Sequence, residues 1–361
     1  MSKVIVGLSG GVDSAVAALL LKQQGHDVGA VFMKNWDEDD DEGYCPAEED
    51  LADARKVAEH LDIELHTVSF SAAYWNRVFA HFLNECEAGR TPSPDIVCNR
   101  EIKFRAFLDY ATNLGADVIA TGHYARIDHR PCVRLLQGLD TQKDQTYFLH
   151  TLTREQLQSS LFPLGELTKP AVRKLAEKEG FSNYAKKDST GICFIGERRF
   201  SEFLARYLKK NPGEIRSLDN GVIGQHDGLM FYTIGQRQGL GIGGRRDSSG
   251  DPWYVVGKNI ATNTLTVAQG VNHPALFSPG LRASQLHWIS DAPPAASNYE
   301  CSARIRHQQP VQACTLDHHG QQCEVRFKSP QRAVAPGQSV VFYRGEECLG
   351  GAIIEEAVIP A

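Results

Sequence analysis

The stretch Gly7-Leu8-Ser9-Gly10-Gly11-Val12-Asp13-Ser14 constrains this chain more than any other. Before it, Val4, Ile5 and Val6 read as a buried strand. After it, Val16, Leu19 and Leu20 recur at helical spacing, and Ala17 and Leu21 widen that face. Strand, tight polar turn and helix is the setting in which backbone N–H groups converge on an anion. Glycine lets the backbone come close, and a helix N-terminus adds unpaired donors and the positive end of its dipole. Ser9 and Ser14 can donate from their hydroxyls, while Asp13 can cap the helix or help hold a metal ion. The plainer alternative is a capping turn in an α/β protein.

The first two hundred residues repeat this alternation. Strand patterns fall at 3–8, 27–33, 63–69 and 117–121, with helical periodicity over 48–61 and 99–114. This predicts a doubly wound parallel sheet with ligands at the C-terminal ends of its strands. The turn at 7–14 lies at such an end, and so does Thr121-Gly122-His123. Beyond about residue 210, short alternating segments such as Trp253–Gly257 and Thr264–Val267 take over. From about 277, strand patterns are broken by Pro, Gly and Asn, as in an all-β barrel or sandwich. The expected organisation is an α/β domain over 1–207, a small central domain over 208–276 and a β-barrel-like domain over 277–361.

A chain of 361 residues, 42% hydrophobic and 23% charged, has room for several such cores. No apolar run approaches the roughly 20 residues of a membrane helix, and no basic segment leads into an apolar core as in a signal peptide. Nine cysteines, an odd number, do not suggest a disulfide framework, so a reducing cytoplasm is expected. The net charge of −6 does not point to nucleic acid. Much of the acid is local, however, in the run from Asp37 to Glu42, and basic pairs recur at Lys186/Lys187, Arg245/Arg246 and Arg304/Arg306. Several basic pairs sharing one face can still bind RNA.

The turn lacks the Gly-Lys-Ser/Thr of a Walker A loop and the spacing of a dinucleotide fingerprint. Two cysteines stand in suggestive contexts. Cys98, in Ser93-Pro94-Asp95-Ile96-Val97-Cys98-Asn99, is expected just before the helix 99–114, where a helix dipole with Arg100 and Lys103 would favour its thiolate. Cys193 follows Lys186, Lys187 and the loop Asp188-Ser189-Thr190-Gly191. Either can equally be an ordinary buried cysteine.

Ser-Gly-Gly-x-Asp-Ser after a first strand resembles the pyrophosphate loop of the ATP-pyrophosphatase class, whose members cleave ATP between the α and β phosphates. The chain as a whole resembles the tRNA-specific 2-thiouridylases. The resemblance is carried by GLSGGVDS, NWDEDDDEGYCP, PDIVCNREIKF, ATGHYAR, KDQTYFL, KKDSTGICFIGER and YTIGQRQGLGIGG. It implies an adenine-nucleotide α-hydrolase-like first domain and thiolation of the wobble uridine of tRNA, with those for Lys, Glu and Gln as the expected substrates. ATP, with Mg²⁺, would adenylate the C2 oxygen, and sulfur would arrive as a persulfide from a sulfur-relay donor protein.

By the same resemblance, Gly7 to Ser14, Met33 and Gly122 hold the nucleotide. Cys193 carries the persulfide, and Cys98 supplies the second thiol, leaving a Cys98–Cys193 disulfide. The persulfide attacks C2 directly, or Cys98 first frees hydrosulfide. Asp95 is the candidate general acid/base, with helix capping as its plainer role. Ser93, Pro94, Asp95, His123, Lys143, Asp144, Gln145, Arg304, Ile305, Arg306 and Gln338 are the tRNA contacts. Ser93 stands where the family usually has asparagine.

One other constellation competes. Cys314, His318, His319 and Cys323 have metal-like spacing. They also fit a hairpin with strands 311–316 and 322–327, Cys314 facing Cys323 across the ladder, and no resident metal is expected. An ammonia-using ligase with the same loop and an RNA-binding protein regulated by ATP are the alternative functions.

Overall fold

A computed structural model describes residues 1–36, 46–188, 200–218, 221–242, 250–290 and 293–358. Three sheets organise them. The first is built from β1 (Lys3–Gly7), β2 (Asp27–Lys34), β3 (Leu65–Ser69), β4 (Val118–Ala120) and, beyond an intervening hairpin of β5 (Ala125–Asp128) and β6 (Arg134–Gln137), the short β7 (Ser160–Leu161). All five pair in parallel, in the order β3-β2-β1-β4-β7. The chain winds outward from β1 to β3 and returns on the far side of β1 as β4. The ends of β1 and β4 therefore flank the crevice where winding reverses, the usual ligand position in such sheets.

Alternation along β1 fills both faces. Val4 and Val6 pack with one apolar cluster and Ile5 with another, all at most 2% exposed. Helix α1 (Val12–Gln23) is buried nearly all round because Ala15, Ala17 and Ala18 admit close neighbours. Helix α2 (Pro46–Leu61) covers the same side through Ala54, Val57, Ala58 and Leu61.

The central sheet has β8 (Gly213–Ser217), β9 (Gly221–His226), β10 (Trp253–Asn259) and β11 (Thr264–Gln269), in the order β10-β11-β8-β9. The last sheet comprises β12 (Phe277–Trp288), β13 (Tyr299–Arg304), β14 (Gln312–His319), β15 (Gln322–Arg332), β16 (Ser339–Arg344) and β17 (Glu347–Val358). Pairing of β12 with β17 closes these six into a barrel around Leu281, Leu316, Val325, Phe342 and Ile354. The β5–β6 hairpin, although it precedes β17 by about two hundred residues, extends this barrel's sheet: Leu135 and Leu136 pair with Cys348 and Glu347 of β17.

The β14–β15 hairpin corrects one expectation. Its turn is only Gly320-Gln321, with Gly320 at φ 59°, so Cys314 pairs with Phe327 and Cys323 with His318. Cys314 instead opposes Cys301 of β13, with 3.6 Å between the sulfurs. Among the described residues no group of three or more His, Cys, Asp or Glu could hold a metal. Nor is any described helix long and apolar enough to cross a membrane.

Candidate active site

The turn after β1 runs from buried Leu8 to buried Ser14, with Ser9 exposed and Gly11 and Asp13 half-buried. Leu8 N–H donates to Val31, and Ser9 N–H donates to the Ser14 hydroxyl, which itself donates to Gly11 carbonyl. Gly10 has φ 75°, and a Cβ there would lie 2.2 Å from the Asp50 carbonyl, so only glycine fits. Its own carbonyl accepts from the buried Asn183 amide at 2.9 Å. Helix α1 starts at Val12 with Gly11 as an uncapped N-cap. Among the described residues nothing accepts from the N–H groups of Gly10, Gly11, Val12 or Asp13. These donors line a concavity at the positive end of a helix, an arrangement suited to an anion.

The neighbouring strand ends frame that concavity. Gly122, after β4, lies so close to α1 that a Cβ would come within 2.8 Å of Asp13 C and Ser14 N. Met33, near the end of β2, has its carbonyl held by the Asn35 amide, and its methyl would sit 3.2 Å from a Cβ at Gly7. Buried His123 bonds Thr121 through Nδ1 at 2.7 Å and packs against Phe104 and Phe162. Burial, with Lys103 nearby, holds its imidazole well below the ordinary pKa, so the ring is neutral.

Asp13 faces a buried ammonium. Lys169 Nζ donates to both Asp13 oxygens at 2.8 Å, and the Tyr124 hydroxyl donates to Oδ1 at 2.7 Å. Burial, reinforced by Asp13, pushes the Tyr124 phenol far above its usual pKa. Lys169 also reaches Asp188 at 2.7 Å, and Asp188 meets Lys143 at 2.5 Å and Arg173 at 2.8 Å. Burial opposes ionisation of Asp188, but the bonds from Lys143 and Lys169 prevail and hold its carboxyl down to about 2.

Ser93 is the N-cap of a helix that starts at Pro94, and Asp95 lies in its first turn. The helix continues through Asn99–Ala106 as a π-helix and Phe107–Asn113 as an α-helix. Cys98 therefore ends the first helical stretch instead of preceding a helix N-terminus, so the expected dipole effect on its thiolate does not operate. The Ser-Pro-Asp start signal was readable in the sequence. Cys98 is 0% exposed and packs among Trp36, Tyr74, Phe79 and Ile102. Cys193 lies outside the described residues.

The remaining candidates knit the domains together. Asp144 is buried and accepts from Arg304 at 2.9 Å, from the Thr146 hydroxyl and from Gly138 N–H. The Gln145 side chain receives Tyr124 N–H at 2.9 Å, steadying the tyrosine that bonds Asp13. Buried Ile305 gives its N–H to Gln309. Arg306 donates to the carbonyls of Ile234 and Ala333. Gln338 donates to Thr91 O at 2.7 Å, two residues before Ser93. Arg306, Gln338, Thr91, Thr233 and Gln236 line a cavity of about 270 Å³ formed by connecting segments of all three domains.

Residues 2–197 match the family described as tRNA methyl transferase HUP domain, 201–269 the tRNA methyl transferase PRC-barrel domain and 278–354 the aminomethyltransferase β-barrel domain. The tRNA-specific 2-thiouridylase MnmA of Stutzerimonas stutzeri (strain A1501) is 58% identical over 99% of this chain and 95% of its own length. That of Marinobacter nauticus is 56% identical over 98% and 91%. The chain belongs to the tRNA-specific 2-thiouridylases. It is thus a tRNA sulfurtransferase. A more distant likeness is to a 4-thiouridine synthetase–RNA complex with bound ATP, at 15% identity, 57% of this chain, 50% of that one and a TM-score of 0.33.

In this 2-thiouridylase the sequence reading overlooked Lys169, Asn183, Tyr124 and Arg173. Lys169 carried a signal: it sits beside Pro170 in the first turn of the helix Lys169–Glu179, where a cation opposes the dipole. A cation so placed serves something other than its own helix.

Proposed function

We propose that this thiouridylase modifies the wobble uridine by adenylating its C2 oxygen with ATP and then delivering persulfide sulfur, in the cytoplasm and on the tRNAs for Lys, Glu and Gln. One observation carries this reading. The helix bearing Asp95 and Cys98 also packs Phe107 against Gly7 and Phe104 against His123, so one rigid element links a thiol to the anion-binding turn.

The N–H groups of Gly10 to Asp13 bind the departing pyrophosphate, whose charge they oppose as it develops. Asp13, with Met33 and Gly122 framing the nucleotide, fits a Mg²⁺ held by one carboxylate and substrate phosphates, and that ion would neutralise phosphate charge. Asp95 stands at the first turn of its helix as acid/base toward the base, beside Ser93 and Pro94. Cys193 carries the persulfide. Either its outer sulfur bonds C2 as AMP departs and Cys98 then attacks the inner sulfur, or Cys98 frees hydrosulfide that attacks C2. Both routes end in the Cys98–Cys193 disulfide, which a thiol reductant resets.

The Cys98 thiol is fully buried, so turnover needs the cover over it to open. Among the tRNA-contact candidates, Ser93, Asp95, Lys143, Gln145, Arg306 and Gln338 retain some exposure. Asp144, Arg304 and Ile305 support that surface from beneath, while Gln145 and His123 hold the neighbouring loop.

The test is mass spectrometry of tRNA nucleosides after incubation with ATP, Mg²⁺ and a persulfide donor. Wild type yields 2-thiouridine. Cys98→Ser and Cys193→Ser yield none, yet still release pyrophosphate when tRNA is present. Normal thiouridine from either variant would overturn the two-thiol mechanism.

A further inference from the structure

Lys169 is 7% exposed, and its ammonium spends all three N–H groups on carboxylates: two on Asp13 and one on Asp188. Each of these acceptors has a second source of donors. Asp13 keeps the Tyr124 hydroxyl, and Asp188 keeps Lys143 and Arg173. Removing one partner of a buried ion pair is ordinarily costly because the other charge is stranded. Here the ammonium can turn away and strand neither carboxylate.

What it can turn toward is adjacent. Asp13 is the second residue of α1, and the N–H groups of Gly10 to Asp13, which have no acceptor among the described residues, open beside it. Three cations, Lys143, Lys169 and Arg173, meet Asp13 and Asp188 beside the concavity, and a third carboxylate, Asp140, accepts from the Lys169 backbone N–H at 2.9 Å. An ammonium needed only to hold Asp13 would not require a second carboxylate shared with two more cations.

We propose that Lys169 is a further phosphate-binding residue of the nucleotide site. It exchanges Asp188 for the β- or γ-phosphate of bound ATP and holds the pyrophosphate as it separates. This rests on the reading of the turn as an ATP site. Asp188 is then a positioning residue that parks the ammonium when phosphate is absent.

Equilibrium binding of ATP, pyrophosphate and AMP separates this role from a structural one. Lys169→Met is expected to weaken ATP and pyrophosphate binding about ten- to a hundredfold, the range for a lost charge-assisted hydrogen bond, while AMP binding changes less than about twofold. Lys169→Arg is expected to restore most of the ATP affinity. Asp188→Asn removes the competing negative charge and is expected to tighten pyrophosphate binding, whereas a purely structural Asp188–Lys169 pair would make it weaker. Equal loss of AMP and ATP in Lys169→Met, or weaker pyrophosphate binding in Asp188→Asn, would overturn the assignment. Failure of the wild-type protein to bind ATP would instead remove the nucleotide reading beneath it.

Discussion

At the scale of single residues, the two central glycines of the opening turn look alike in sequence and differ in the fold. Gly10 has a left-handed backbone and touches the Asp50 carbonyl, whereas Gly11 has φ −85° and would place a Cβ 3.4 Å from Ser9 Oγ. Gly10→Ala is therefore expected to lower stability by about 1–3 kcal/mol and to abolish ATP-dependent pyrophosphate release. Gly11→Ala fits the unliganded turn and should unfold at the wild-type urea midpoint, so any loss of ATP binding there reports on the ligand alone. Equal urea midpoints for Gly10→Ala and wild type would contradict the backbone argument. That this turn joins a strand to a helix through glycines and hydroxyls, the setting expected of an anion site, was legible from residue types. Which glycine is structurally obligatory was not, because the Asp50 carbonyl comes from a distant helix. The partners of Asp13 were hidden for the same reason: Tyr124 and Lys169 approach it from far along the chain.

At the scale of elements, local periodicity located four of the five parallel strands to within a residue or two, because each is bounded by polar turns, but it missed the two-residue β7. It read the helix around Cys98 less well. The stretch 94–113 is wound as α, then π, then α, and widening a helix frees carbonyls that sequence spacing does not reveal. Gln156 answers part of that need, donating to Phe104 O at 2.9 Å and Arg100 O at 3.3 Å. The same side chain accepts Thr153 N–H at 2.9 Å, closing a capping box on its own helix. Gln156→Ala should thus cost about 1–3 kcal/mol in urea unfolding, from carbonyls left without a donor and a lost cap. It should also slow thiolation more than tRNA-dependent pyrophosphate release, since the π-wound segment begins directly after Cys98. Equal slowing of both would place its effect on the whole domain. The hairpin register failed for a related reason: a two-residue turn at Gly320 shifts every cross-strand pair relative to a longer turn centred earlier.

At the scale of the molecule, contacts between the sheets decide what the charged candidates can do. The Arg304–Asp144 pair joins the barrel to the first domain with side chains 8% and 0% exposed. Arg304→Ala would strand the Asp144 carboxylate and is expected to cost about 3–5 kcal/mol, whatever its effect on tRNA affinity. A loss below about 1 kcal/mol in urea unfolding would mean that the pair is not buried in solution. Lys258, at the end of β10, makes the corresponding contact from the central sheet. Its ammonium donates to Gly89 O at 2.9 Å, just beyond the helix Ala80–Glu87 and four residues before Ser93. Burial pushes this lysine down to about 8, against the weak opposing pull of the Cys86 thiol, while burial drives Cys86 itself up to about 12. Between about pH 8 and the ordinary lysine value near 10.4, the unfolded chain holds a proton on Lys258 that the folded chain has released. Raising the pH through that interval therefore favours the fold at this site, and lowering it through 8 restores the full cost of burying the charge. Lys258→Met removes that cost along with one hydrogen bond. Measured in urea from pH 7 to 10, the stability of wild type relative to Lys258→Met is expected to rise with pH. A flat or falling difference would show that the ammonium stays charged and solvated, and that it does not clamp the segment leading to Ser93.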